Sequence, residues 1–190
     1  MRKSAGILLY RRKNGGIEVF LVHPGGPFWS GKDDGAWSIP KGLIEEGEDP
    51  LETARREFRE ETGFEVDGEF ISLGEVRLSS GKIIQAWALE GSIDAEKVTS
   101  NKFAMEWPKG SGKTQEFPEV DKAAWFSLEE AAKKIHKGQL ELLNRLRKIL
   151  QERKEPRNAV ERQQLLGRFQ LKTAEKGPNI GCMVFITPTY

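Results

Sequence analysis

The chain has 190 residues, with 30 Lys+Arg against 29 Asp+Glu and a formal net charge of +1. That length predicts one domain with a substantial core, and the near-neutral balance excludes a global pull toward nucleic acid or a membrane surface. A single cysteine, Cys182, excludes an internal disulfide framework and a cysteine metal cage, and suits a reducing compartment.

The first apolar run, Ala5 to Tyr10, is too short for a signal core or a membrane span, so a soluble cytoplasmic protein is expected. The runs "AGILLY" and "IEVFLV" flank "RRKNGG", and Asn14, Gly15 and Gly16 between them predict a β-hairpin. The Gly- and Pro-rich stretch "HPGGPFWSGKDDGAWSIPKG" predicts a long surface loop followed by a short strand at "AWSI". Loops of such length in compact domains tend to be functional or disordered. Asp49 followed by Pro50 supplies a side-chain oxygen for the first amides and a preset φ, a strong helix start. Gly63 is the stop. Beyond it, "EFISLGEVRL" and "KIIQAWALEG" around "SSG" predict a second hairpin.

After "EFPEV", a short strand "AAWF" leads to Ser127, an N-cap with Glu130 three residues on, for a helix containing "LEEAAKKI". A last amphipathic helix, "QLELLNRLRKILQERK", loses its apolar face near Lys154. The expected organisation is a domain at residues 1–152 and a C-terminal extension of unknown role at 153–190. The extension has a charged, Pro-broken linker and the strand-like run "CMVFIT", which must be covered by this chain's own sheet or by a partner subunit in a homodimer.

Eight acidic side chains fall between Gly42 and Phe64. On a wheel of about 100° per residue with Leu51 at zero, Ala54 and Phe58 define a buried stripe, while Glu57, Glu60 and Glu61 fall near 240°, 180° and 280°. Arg55 and Arg59 project to the other flank, and Arg56 adjoins Glu60. A solvated face would interleave the signs, whereas Glu57 and Glu61 are a like-charge pair at i,i+4. Either this is an ordinary charged face or a hard divalent cation, Mg²⁺ or Mn²⁺, neutralises it. Gly42 and Gly47 permit a tight loop before the helix, where a backbone carbonyl can approach such an ion.

This segment resembles a Nudix box, G-x5-E-x7-R-E-U-x-E-E-x-G-U, with Gly42, Glu48, Arg56, Glu57, Phe58, Glu60, Glu61, Gly63 and Phe64 at every specified position. "SAGILLYRR", "PFW", "WSIPKG", "AWALEG" and "FPEVDKAAWF" extend the resemblance, over about residues 3 to 150, to small bacterial proteins described as predicted NTP pyrophosphohydrolases. It implies a Nudix-type α/β/α sandwich with a central mixed sheet and a catalytic loop-helix-loop. The implied activity is metal-dependent cleavage of the pyrophosphate of a nucleoside diphosphate linked to another moiety. The implied metal ligands are Glu57, Glu60, Glu61 and the Gly42 carbonyl. Arg56 would orient Glu57, Glu48 would brace the loop, and Gly63 is a structural position.

Related enzymes often add a carboxylate from a later loop, as ligand or base. Glu119 in "FPEV" is the choice and Glu116 the alternative, beside the reading of either as an ordinary loop acid. Lys41 could offer a point charge to a phosphate. Trp29, Trp107 and Phe103 are candidates by type for an apolar platform under the substrate, with Trp87 read rather as core. His23 and His136 receive no role. The small-molecule partner is a nucleotide, and the markers of the dinucleoside polyphosphate and ADP-ribose subfamilies are absent. Dinucleoside polyphosphates, capped RNA ends or inositol pyrophosphates remain alternative substrates, and "KGSGK" at residues 109–113 is a weak basic patch for the last two. A non-catalytic nucleotide-binding module is the reading from another class.

Overall fold

The computed structural model describes residues 3–154. Residues Met1–Lys148 cluster as one compact unit and Ile149–Tyr190 as another. The expectations for the extension, "CMVFIT" and Cys182 among them, fall outside the described residues.

The run from Ala5 to Tyr10 is buried without interruption in β1 (Lys3–Lys13), as a strand covered on both faces requires. It turns at Asn14 (φ 50°) and Gly15 (φ 78°) into β2 (Gly16–Pro24), its antiparallel partner. Two consecutive left-handed residues match the twist of the flanking strands, so the expected hairpin forms. Along its other edge β1 runs parallel to β5 (Ile83–Glu90), which pairs antiparallel with β4 (Ile71–Arg77). The "AAWF" strand extends to eight residues, β8 (Val120–Ser127), and joins β2, giving the mixed sheet order β4-β5-β1-β2-β8.

Strand alternation sends successive side chains to opposite faces. Ala5, Ile7 and Leu9 form one core with Phe20 of β2 and Ala54 and Phe58 of α1 (Pro50–Thr62). The interleaved Leu8, Ile84 and Ala86 are buried on the opposite face. There α2 (Leu128–Lys134) and α3 (Leu140–Lys154) contribute the buried Ala131, Leu142 and Leu146. The result is the α/β/α sandwich. Ser127 caps α2 in a reciprocal box with Glu130, as its spacing predicts.

Three features differ from expectation. "AWSI" forms no strand: Trp37 and Ser38 make only isolated bridges, to Ile135 and Val22. The neighbouring backbone groups are instead hydrogen bonded to the α2 terminus, Gly35 N donating to the Lys133 carbonyl and Trp37 N to that of Lys134. A three-residue strand, β3 (Lys41–Leu43), forms just after it and pairs antiparallel with β1, Gly42 opposite Ala5. Finally, β6 (Lys102–Glu106) and β7 (Thr114–Pro118) make a separate two-stranded sheet where no strand is expected. Among the described residues no helix is long and apolar enough to cross a membrane.

Candidate active site

Helix α1 starts where Asp49 accepts hydrogen bonds from the amides of Leu51 and Glu52, and ends at Gly63 with φ 78°. Thirteen residues between these caps carry the acidic patch along one side. Gly63 has a second reason to be glycine, because Thr99 lies against its Cα, with Thr99 N donating to the Thr62 carbonyl.

Arg56 organises the patch. Its Nε and Nη2 donate to the two oxygens of Glu48 (3.0 and 3.1 Å), and its Nη1 donates to Glu57 (2.9 Å) and Glu60 (3.2 Å). The planar fork of a guanidinium serves three carboxylates here, which a lysine's single ammonium would not hold in one plane. These bonds hold the Glu48 carboxyl at a pKa of about 2. Glu48 also accepts from Glu45 N, tying the loop ahead of the helix to Arg56.

Gly42 is not a turn residue, contrary to the sequence reading, which took it for a tight loop. It sits in β3, and what its position requires is space. A β-carbon there would overlap the carboxyl carbon and both oxygens of Glu57. The carboxylate therefore rests directly on the bare Cα of the strand. Gly47, with φ 79°, does supply the turn.

The other carboxylates differ by environment. Burial raises the pKa of Glu61 to about 7; the Lys41 charge and a hydrogen bond from Lys41 N (3.1 Å) pull it down, while Glu57 and Glu119 push it up. Burial likewise raises that of Glu57, Arg56 opposes the rise, and Glu60 and Glu119 add to it. Two buried acids favour the neutral form unless a positive charge joins them. Among the described residues, no three His, Cys, Asp or Glu side chains are drawn together tightly enough to grip an ion as they stand; Glu57 and Glu60 are turned to Arg56 instead. The donor chemistry, carboxylates beside a strand carbonyl, is nonetheless that of a hard-cation site.

Glu119 acts electrostatically on both Glu57 and Glu61. Glu116 instead pairs with Lys102 across β6–β7 (3.9 Å) and is well exposed. Backbone bonds carry Glu119 to the helix: its N–H donates to the Asn101 carbonyl (2.8 Å), and Asn101 N donates to the Glu60 carbonyl (2.9 Å).

Phe103 and Trp107 project from one side of β6. Phe103 meets Phe117 of β7 at 6.1 Å, and Trp107 meets Phe28 edge-to-face at 5.6 Å. Trp29, next to Phe28 in the chain, lies under the Lys32 ammonium at 4.9 Å. Trp87 packs against the α1-side core. Phe28 and Phe117 are the members that sequence reasoning did not assign, and Phe28 is 59% exposed. The "PFW" stretch contains the first, and the second is brought in by the β6–β7 pairing, Phe117 opposite Phe103.

A mixed sheet presenting a loop-helix-loop with sorted carboxylates defines a Nudix architecture. Residues 1–146 match the NUDIX domain family, and the chain belongs to it. It is 32% identical over 102 residues to the asymmetrical bis(5'-nucleosyl)-tetraphosphatase of Mus musculus, covering 46% of this chain and 64% of that protein. It is 55% identical over 38 residues to Nudix hydrolase 25 of Arabidopsis thaliana, covering 20% of this chain and 21% of that protein. The chain thus spans less than two thirds of the length of either relative.

Among solved structures, a C. elegans Ap4A hydrolase binary complex aligns with a TM-score of 0.54 at 23% identity, over 77% of this chain and 97% of that one. The NUDIX domain of Shewanella oneidensis NrtR complexed with ADP ribose gives 0.54 at 20% identity, over 78% and 87%. At these identities the likeness is one of fold.

Proposed function

We propose that this protein cleaves the pyrophosphate linkage of a nucleoside triphosphate, or of another nucleoside diphosphate joined to a second moiety, with Mg²⁺ or Mn²⁺. The observation that carries this reading is the seating of the Glu57 carboxylate on the bare Cα of Gly42, with Glu119 close enough to act on both Glu57 and Glu61, and Glu57 on Glu61. Glu57, Glu60, Glu61, Glu119 and the Gly42 carbonyl would hold the metal. A bound divalent ion offsets the negative charge of phosphate oxygens and makes water a nucleophile near neutral pH.

The protein's own groups do the rest. Arg56 orients Glu57 and Glu60, with Glu48 fixing the guanidinium. Glu119 is the proton acceptor for the attacking water. Lys41 offers its ammonium to a phosphate oxygen, and Phe103 and Trp107, joined by Phe28, give the base or leaving moiety an apolar surface. We assign the catalytic unit to residues 1–152 and a cytoplasmic setting to the reaction, in keeping with the single cysteine.

Dinucleoside polyphosphates are the second reading, favoured by the resemblance to the mouse tetraphosphatase. The aromatic side of the hairpin also suits an elongated substrate. Phe117 lies two residues from Glu119, whereas Trp107 follows the Glu106–Thr114 rung, five residues away, or roughly 17 Å at strand rise. Phosphate release from ATP, GTP, ADP-ribose and diadenosine tetraphosphate, each with Mg²⁺, Mn²⁺ or EDTA, tests both readings. Turnover unaffected by EDTA would overturn the metal assignment, and no turnover of any nucleotide would overturn the substrate class.

A further inference from the structure

Glu119 sits between two strands that belong to different sheets, Pro118 ending β7 and Val120 beginning β8. A carboxylate at such a junction takes its direction from whatever fixes the backbone on both sides. On the β8 side the register with β2 slips: His23 opposes Lys122 but Pro24 opposes Val120, leaving Asp121 as the extra residue of a bulge. Bulges bend a strand and re-aim its side chains. This one is held by the imidazole of His23, nearly inaccessible to solvent, whose Nδ1 is 2.7 Å from Asp121 Oδ1 and whose Nε2 is 2.9 Å from the Lys32 carbonyl. Ser100 adds a two-way clamp, its hydroxyl donating to the Val120 carbonyl and accepting from Val120 N.

On the β7 side, Gly25 N donates to the Glu119 carbonyl (2.9 Å). A β-carbon on Gly25 would overlap the Pro118 carbonyl oxygen, a backbone atom that cannot yield without moving Glu119. So the stretch "HPGG", whose histidine the reaction itself does not use, presses on the Glu119 junction from both sides.

We propose that His23 and Gly25 are positioning residues for Glu119: the imidazole seats the bulge at Asp121, and the bare Cα of Gly25 admits Pro118, so that the carboxylate is aimed at Glu57 and Glu61. This rests on the reading of Glu119 as part of the reacting site. Both act through Glu119 alone, so their loss matters only while Glu119 is present.

The test is a pair of double-mutant cycles on the full chain, Gly25→Ala with Glu119→Gln and His23→Gln with Glu119→Gln, assayed on ATP and diadenosine tetraphosphate with Mn²⁺. Gly25→Ala is expected to lower kcat about as much as Glu119→Gln does, and His23→Gln about tenfold, with KM nearly unchanged. In the Glu119→Gln background each is expected to cost less than about twofold, since changes acting through one group are not additive. Melting temperatures should fall equally in both backgrounds, which separates positioning from general destabilisation. Losses that multiply would overturn the proposal while leaving Glu119 in the site. A silent Glu119→Gln would overturn the reading of Glu119 and the proposal with it. Should Gly25→Ala fail to fold, the His23→Gln cycle decides alone.

Discussion

Gly42→Ala separates the site from the fold more cleanly than any carboxylate change. The substitution puts a methyl group where the Glu57 carboxyl lies, but that carboxyl is the free end of a flexible side chain and can swing away. Gly42 is within a strand, without a left-handed φ, so alanine is tolerated by the backbone and recovers roughly 0.5–1 kcal/mol of chain entropy. Against this stands the ion pair of Glu57 with Arg56, at 2.9 Å between side chains 14% and 27% exposed, worth about 1 kcal/mol at most when partly solvated. The two terms nearly cancel, and the melting temperature is expected to shift by no more than about 3 °C.

Activity should respond quite differently. A displaced Glu57 and an obstructed strand carbonyl remove transition-state stabilisation, and a loss of at least about a hundredfold in kcat, near 2.7 kcal/mol, is expected. Phosphate release at saturating Mn²⁺ beside a thermal melt in EDTA measures both. Near wild-type turnover would refute the assignment of Gly42 and Glu57, and a collapsed fold would refute the ledger.

Glu60→Gln, which removes a charge with little change of volume, is expected to lower kcat at least about a hundredfold at saturating metal; retained turnover would defeat the metal-site reading of α1. Glu119→Gln should reduce activity with little change in metal-free melting and should remove the acidic limb of the pH profile, whereas a damaging Glu116→Gln beside a silent Glu119→Gln would exchange their roles. Without metal, Glu61 holds its proton to about pH 7 in the folded state against an ordinary value of 4.5. The folded state therefore binds more protons than the unfolded one, and stability should fall as pH rises through that window; a flat melting curve in EDTA, or one Glu61→Gln leaves unchanged, would contradict this. Truncation after Glu152 should preserve pyrophosphatase activity, because the family match ends at residue 146; an inactive but folded truncate would place the extension in the substrate site.

What the sequence discloses depends on how local the cause is. Helix α1 was legible because its start and stop are written in Asp49, Pro50 and Gly63, and both large hairpins because turn chemistry punctuates alternating runs. Strand β3 was not, since three residues with glycine at the centre have no propensity of their own and pair only because β1 offers an edge. The β6–β7 hairpin hid behind its charged exposed side and the "KGSGK" turn, although Phe103, Met105 and Trp107 at period two were a usable signal. The sorting of the α1 acids followed from helical geometry. The aim of Glu119 depends on a bulge opposite His23 and a contact with Gly25, which no window of sequence contains.

Glu57 and Glu61 are a like-charge pair one helical turn apart on α1. Their repulsion at i,i+4 is not left for an ion alone to resolve, because each already has a separate partner: Arg56 for Glu57 and the Lys41 amide for Glu61. What remains uncompensated is burial, the largest cause of the raised pKa at both. Burial is also what makes the site selective in its chemistry. A carboxylate half withdrawn from water gains more from a divalent charge than a solvated one does. The fold keeps two such groups beside Glu119 by leaving room at Gly42 for the Glu57 carboxylate and at Gly25 for the Pro118 carbonyl, while Arg56 holds Glu48, Glu57 and Glu60.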